Sequence, residues 1–226
     1  MRYGLPAPVC KLFASAVLAL MLAATPLAGA FAKKEITIVA LGDSLTAGYL
    51  LGPDEGFPEQ LERALKEAGH ENVKVVNAGV SGDTSSGGLA RLDWAVGPEA
   101  DAVIVELGAN DALRGIDPGL ARKNLTEIVT RLKERGLPIL LAGMLAPPNL
   151  GSDYGAEFNP IYPELAETEE LIFYPFFLDG VAGDRRLNLR DGIHPTAEGV
   201  AIIVTRILPK VEELIAAAEE RKSAGK

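Results

Sequence analysis

Short aliphatic runs alternate with helix-periodic stretches along most of this 226-residue chain. Residues 36–41 (ITIVAL), 73–77 (VKVVN), 101–107 (DAVIVEL), 138–143 (PILLAG) and 171–174 (LIFY) are aliphatic and short, so each predicts a strand. Between them, apolar positions recur at intervals of three and four. Leu61, Ala64, Leu65 and Ala68 share one face of a helix over residues 57–69, closed by Gly69 as a C-cap. A second helix runs through Leu89, Leu92 and Ala95. Asp117-Pro118 opens a third, in which Ala121, Leu125, Ile128 and Leu132 recur until Gly136. A helix over 156–169 and a last one over 196–220, bent at Pro209, complete the series. Strands that alternate with helices specify a parallel sheet covered on both faces. The expected fold is therefore α/β, a three-layer α/β/α sandwich around a five-stranded parallel sheet of flavodoxin-like order.

The two ends fall outside this pattern. Arg2 and Lys11, an Ala/Leu-rich run over residues 12–24 and the small-x-small tripeptide Ala30-Phe31-Ala32 read as a removable export signal. The alternative is an uncleaved anchor, for which the apolar run is short. Residues 1–32 are thus expected to be signal, 33–220 one domain, and 221–226 a disordered tail. Cys10 is the only cysteine and leaves with the signal, so the mature chain holds no disulfide, thiol nucleophile or thiolate metal site. Losing those two positive charges takes the net charge from −9 to −11, which argues against nucleic acid or an anionic membrane surface as a partner. The expected location is periplasmic or secreted.

Every strand-to-helix loop of such a sheet emerges at its carboxyl edge, where open α/β folds bind ligands. Ser44 lies just past the first strand, Gly82 past the second and Asn110 past the third; Asp191 and His194 lie between the fifth and the last helix. They converge there although far apart in sequence. Gly42 reads as the residue that permits the turn into Ser44. His70 falls in a polar turn at the opposite edge, so His194 is the imidazole available to a Ser44 nucleophile. Asp191 is close enough to fix its tautomer. Gly82 can bring a backbone N–H close to substrate, Asn110 offers a side-chain amide, and the Ser44 N–H supplies a third donor. Each residue taken alone also reads blandly: Asp43 or Ser44 as a helix cap, Asn110 as a turn residue, Asp191 and His194 as a capping turn.

Taken together, G-D-S-L at residues 42–45, Gly82 in S-G-D-T, G-x-N-D at 108–111 and D-x-x-H at 191–194 resemble the four blocks of the GDSL/SGNH hydrolase family. The similarity is greatest to its periplasmic multifunctional thioesterase/lysophospholipase/arylesterase branch and spans residues 36–208. The resemblance implies Ser44 as nucleophile, Asp191 and His194 completing a triad, and Ser44, Gly82 and Asn110 as oxyanion hole. It implies a serine esterase of the arylesterase, acyl thioesterase or lysophospholipase type, acting on ester or thioester bonds of small-molecule fatty-acyl or aryl substrates through an acyl-enzyme, with no metal or cofactor. Ala109 departs from a frequent Gly, beside Asn110. Residues 145–154, which in that branch help line the acyl site, differ in detail. Leu145, Pro147 and Leu150 are the candidate substrate-binding residues there, and the bland alternative is a loop packed against the next helix. Two other functions stay open: carbohydrate or peptidoglycan O-deacetylation, and a non-enzymatic flavodoxin-like binding module. No G-x-S-x-G elbow, P-loop, H-E-x-x-H or Rossmann fingerprint occurs.

Overall fold

The computed structural model describes Met1 and residues 34–225. The expected export signal, with Cys10, lies outside the described residues. Strands β1 (Ile36–Gly42), β2 (Val73–Gly79), β3 (Ala102–Glu106), β4 (Ile139–Ala142) and β5 (Ile172–Tyr174) form one sheet in the order β2-β1-β3-β4-β5. All four pairings are parallel. This is the flavodoxin-like order expected from the alternation. The two central strands β1 and β3 are buried at every residue, which is why they read as unbroken apolar runs rather than alternating ones.

Nine α-helices are assigned among the described residues: α1 (Ser44–Ala47), α2 (Phe57–Glu67), α3 (Ser85–Ala90), α4 (Leu92–Ala95), α5 (Ala109–Leu113), α6 (Pro118–Glu134), α7 (Ser152–Phe158), α8 (Ile161–Thr168) and α9 (Ala197–Ser223). α2 packs on α9, and α3 and α8 pack on α6, so the two faces of the sheet are covered by separate groups. α9 buries Val200, Ile203, Val204, Ile207, Val211, Leu214, Ile215 and Ala218, a stripe at helical spacing.

Three expectations are corrected. The helix over 156–169 is two helices, α7 and α8, parted at Asn159-Pro160, because Pro160 has no N–H to continue the ladder. The helix through Leu89 and Ala95 likewise divides at Arg91 into α3 and α4. The tail expected to be disordered begins as helix: α9 continues to Ser223, and Lys222 Nζ donates to Glu35 O and to the Asp101 carboxylate, both at 2.6 Å. That carboxylate also accepts the Thr37 N–H, so the helix end is anchored to the amino edge of the sheet. Charge, which made the segment look solvated, is what fastens it.

Gly79 closes β2 with no space beside it. A Cβ there would collide with the Ala47 backbone and lie 2.8 Å from Asp43 O. Backbone, unlike a flexible side-chain tip, cannot give way. Gly79→Ala is therefore expected to destabilise the fold by about 2–3 kcal/mol, read as a lower urea midpoint at unchanged m-value. Gly69→Ala, with nothing within 4 Å of its Cβ, bears only the strain of its positive φ and should cost less.

Candidate active site

β1 delivers the first block. Its last residue is Gly42, and Asp43 then caps α1, its Oδ1 accepting the Leu45 N–H at 2.9 Å. The bland reading of Asp43 as a cap is right, and Ser44 follows as the first residue of the helix. The reason for Gly42 differs from the one its position suggests. Gly42 is not among the positive-φ glycines; a Cβ there would strike the Thr46 side chain and lie 2.6 Å from Glu106 Oε2. It is glycine for space, not for a turn.

The loop before α9 brings the histidine. Asn188 bridges Pro195, and the Leu189 N–H donates to His194 O at 2.7 Å, closing a tight turn in which Gly192 adopts φ +72°. Asp191 Oδ1 accepts the backbone N–H of Ile193 at 2.9 Å and of His194 at 3.1 Å. Its Oδ2 lies 2.8 Å from His194 Nδ1, and His194 Nε2 lies 2.9 Å from Ser44 Oγ. Slight burial pushes the Asp191 carboxyl up, but these hydrogen bonds and the imidazole outweigh it and bring its pKa down to about 2. An ionised Asp191 accepts from Nδ1–H, which leaves Nε2 as the acceptor facing the serine hydroxyl. The ring of Tyr49 lies 4.4 Å from the imidazole, centroid to centroid, tilted by 37°. His70 is at the opposite edge, 3.7 Å from Glu212.

Facing Ser44 are the donors. The N–H groups of Ser44 and Gly82 make no hydrogen bond among the described residues. Gly82 takes φ +86°, and Arg114 caps its carbonyl at 2.7 Å. Asn110, in the first turn of α5, donates from Nδ2 to Asp43 Oδ2 and to Asp83 O, both at 2.9 Å. Asp83 is paired with Arg91, whose remaining nitrogens donate at 2.8 Å to Ala78 O and Gly42 O. Arg91 thus ties the ends of β1 and β2 to the Gly82 loop. Gly108, at φ +111°, leaves room for the Tyr162 hydroxyl, whereas Ala109 has no positive φ and fits without strain. Ala146, Pro147, Pro148 and Gly155 line an open groove of about 620 Å³ on the loop after β4. Leu145 is exposed, while Leu150 packs against the core. For Leu150 the loop's internal packing is what the structure records.

Sequence reasoning missed the acids beneath the site. Asp43 and Glu106 are fully buried, and Glu106 Oε2 accepts from Thr46 Oγ1 at 2.8 Å and from the Asp43 N–H at 3.3 Å. A carboxylate closing an apolar strand, as Glu106 does in VIVEL, was the available signal. Burial pushes the Asp43 carboxyl up to about 6, and burial together with the charge of Asp43 pushes Glu106 up as well.

One family model, of the GDSL-like lipase/acylhydrolases, matches residues 40–202. The chain belongs to that family. An arylesterase of Vibrio mimicus is 40% identical over 162 residues, 71% of this chain and 80% of that one. Thioesterase 1/protease 1/lysophospholipase L1 of Escherichia coli K12 is 34% identical over 180 residues, 79% and 85% of the respective chains. Among solved structures, AlinE4, an SGNH-hydrolase family esterase, is 46% identical, covers 80% of this chain and 96% of its own, and superposes with a TM-score of 0.68.

The buried acids make a prediction about stability. Their folded pKa values lie above the unfolded ones, so the folded state keeps protons that the unfolded chain releases. The Asp43 contribution falls as pH rises from about 3.8 through about 6, and that of Glu106 falls as pH rises above the ordinary carboxyl range. Asp191, with its pKa lowered, acts with the opposite sign and only at lower pH. Glu106→Gln should flatten the decline across that window, measured as urea midpoints at several pH values. Parallel profiles for the two proteins would show that Glu106 does not titrate with folding.

Proposed function

We propose that this chain is a serine esterase in which Ser44 attacks the carbonyl carbon of an acyl ester or thioester. The observation that carries the proposal is the continuous chain Asp191–His194–Ser44, with links of 2.8 and 2.9 Å. As the Ser44 oxygen bonds to the carbonyl carbon, its proton passes to His194 Nε2, and Asp191 stabilises the imidazolium. The carbonyl oxygen becomes an oxyanion, for which the Ser44 and Gly82 N–H groups and the Asn110 amide are the donors. Collapse breaks the bond to the alcohol or thiol, which takes the proton from His194. Water, deprotonated by the same imidazole, then attacks the acyl-Ser44 ester and restores the enzyme. The names of the relatives support aryl esters, acyl thioesters and lysophospholipids as substrates. The expected signal over residues 1–32 supports action outside the cytoplasm, testable by amino-terminal sequencing of the exported protein.

A fluorophosphonate should label the protein once, and peptide mass mapping should place the adduct on Ser44. Ser44→Ala and His194→Ala should each lose roughly 10⁴-fold or more in kcat at unchanged thermal stability. His70→Ala should leave activity unchanged. An adduct elsewhere, or an active His194→Ala variant, would overturn the assignment.

The loop after β4 emerges at the same edge, and we place Leu145 and Pro147 on one wall of the acyl site. Each acyl methylene buried there should add up to ~0.8 kcal/mol, about fourfold in kcat/KM. Leu145→Asp should flatten the gradient from butyryl to dodecanoyl p-nitrophenyl esters while sparing the acetyl ester. Parallel gradients in the two proteins would show that Leu145 does not meet the chain.

A further inference from the structure

Both hydrogens of the Asn110 amide are already committed in the resting site, one to the Asp43 carboxylate and one to the Asp83 carbonyl. The orientation is dictated by chemistry, since the other flip would turn the amide oxygen towards two acceptors. An Asn110 that donates to an oxyanion must therefore release or share one of these bonds. The two are unequal. A bond to a carboxylate is charge-assisted and stronger than one to a neutral carbonyl. Asp43 is also the better-held partner. It is fully buried, its Oδ1 is fixed by the Leu45 N–H, and its own N–H is bound to Glu106.

We propose that Asp43 is the positioning residue of the oxyanion hole: its carboxylate is the pivot that holds the Asn110 amide, while the hydrogen facing Asp83 O turns to the oxyanion. The inference rests on the proposed role of Asn110 and extends it. Because Asp43 is the neighbour of Ser44 in the chain, the residue that caps the nucleophile's helix also aims a donor that arrives 67 positions later. Nucleophile and donor then move as one body. No bond to substrate forms at Asp43, so its effect on rate must pass through Asn110.

Two substitutions separate aiming from capping. In Asp43→Asn a carbonyl oxygen can still cap Leu45, but an NH₂ then faces the Asn110 NH₂. In Asp43→Ser a hydroxyl can cap as well, and it is too short to reach Asn110. Each should fold, with thermal midpoint checked by circular dichroism. Each should lower kcat for p-nitrophenyl butyrate by roughly 10–100-fold with KM within about twofold. The deciding measurement is the double-mutant cycle with Asn110→Ala, itself expected to lose roughly 10²–10³-fold. If Asp43 acts through Asn110, Asp43→Asn should cost no more than about threefold in the Asn110→Ala background.

An undiminished cost in that background would overturn the proposal, because Asp43 would then be acting on His194 or on the fold. Full activity in either Asp43 variant would overturn it too. Fluorophosphonate labelling of Ser44 in the wild-type protein is scored separately. If Ser44 is not labelled, the serine-esterase reading itself fails. If Ser44 is labelled but the cycle is additive, only the positioning role fails.

Discussion

Two carboxyl groups buried side by side, Asp43 after β1 and Glu106 at the end of β3, set the constraint around which the carboxyl edge of the sheet is built. Burying an acid without a cation is costly, and Glu106 Oε1 has no hydrogen-bond partner among the described residues. The surroundings offset part of that cost with donors rather than charge. Thr46 and the Asp43 N–H serve Glu106, while the Leu45 N–H and the Asn110 amide serve Asp43. Each of those donors belongs to a segment that has to be placed: the first turn after β1 or the first turn of α5. Satisfying the acids and positioning the site are one requirement. Gly42 belongs to it as well, because only a residue without a side chain leaves room for Thr46 and Glu106 together.

The sheet and the convergence of the candidate site residues were legible in sequence for a simple reason. Each strand is an apolar run, and parallel topology sends residues beyond every carboxyl end to one edge. Hence Ser44 and His194, 150 positions apart, could be brought together without knowing any contact. Helix breaks were less legible. Periodicity carries across residues 156–169 because Phe158 and Ile161 are both buried, and the break shows only in the backbone at Pro160. The carboxyl end misled in the other direction, since Lys222 looks like a solvated charge until its partner Asp101 is known to lie at the near end of β3. Least legible was the second use of Asp43. A cap is visible locally, but a bond to Asn110 is a tertiary fact with no local signature.

The acids of this site separate into two environments. Asp191 sits at the rim, partly exposed, and three hydrogen bonds bring its pKa down to about 2. Water can share its charge, so it needs no depth. Asp43 lies beneath Ser44, out of water, with its pKa pushed up to about 6. A low local dielectric strengthens whatever bonds it makes, including the one to Asn110. In the proposed mechanism the rim acid can therefore adjust as charge moves onto His194, while the buried acid keeps its partner fixed. A rearranging acid would suit the first role and spoil the second. A four-residue helix, too short to be stable alone, can therefore hold Ser44 against His194, because its cap Asp43 is locked into the interior.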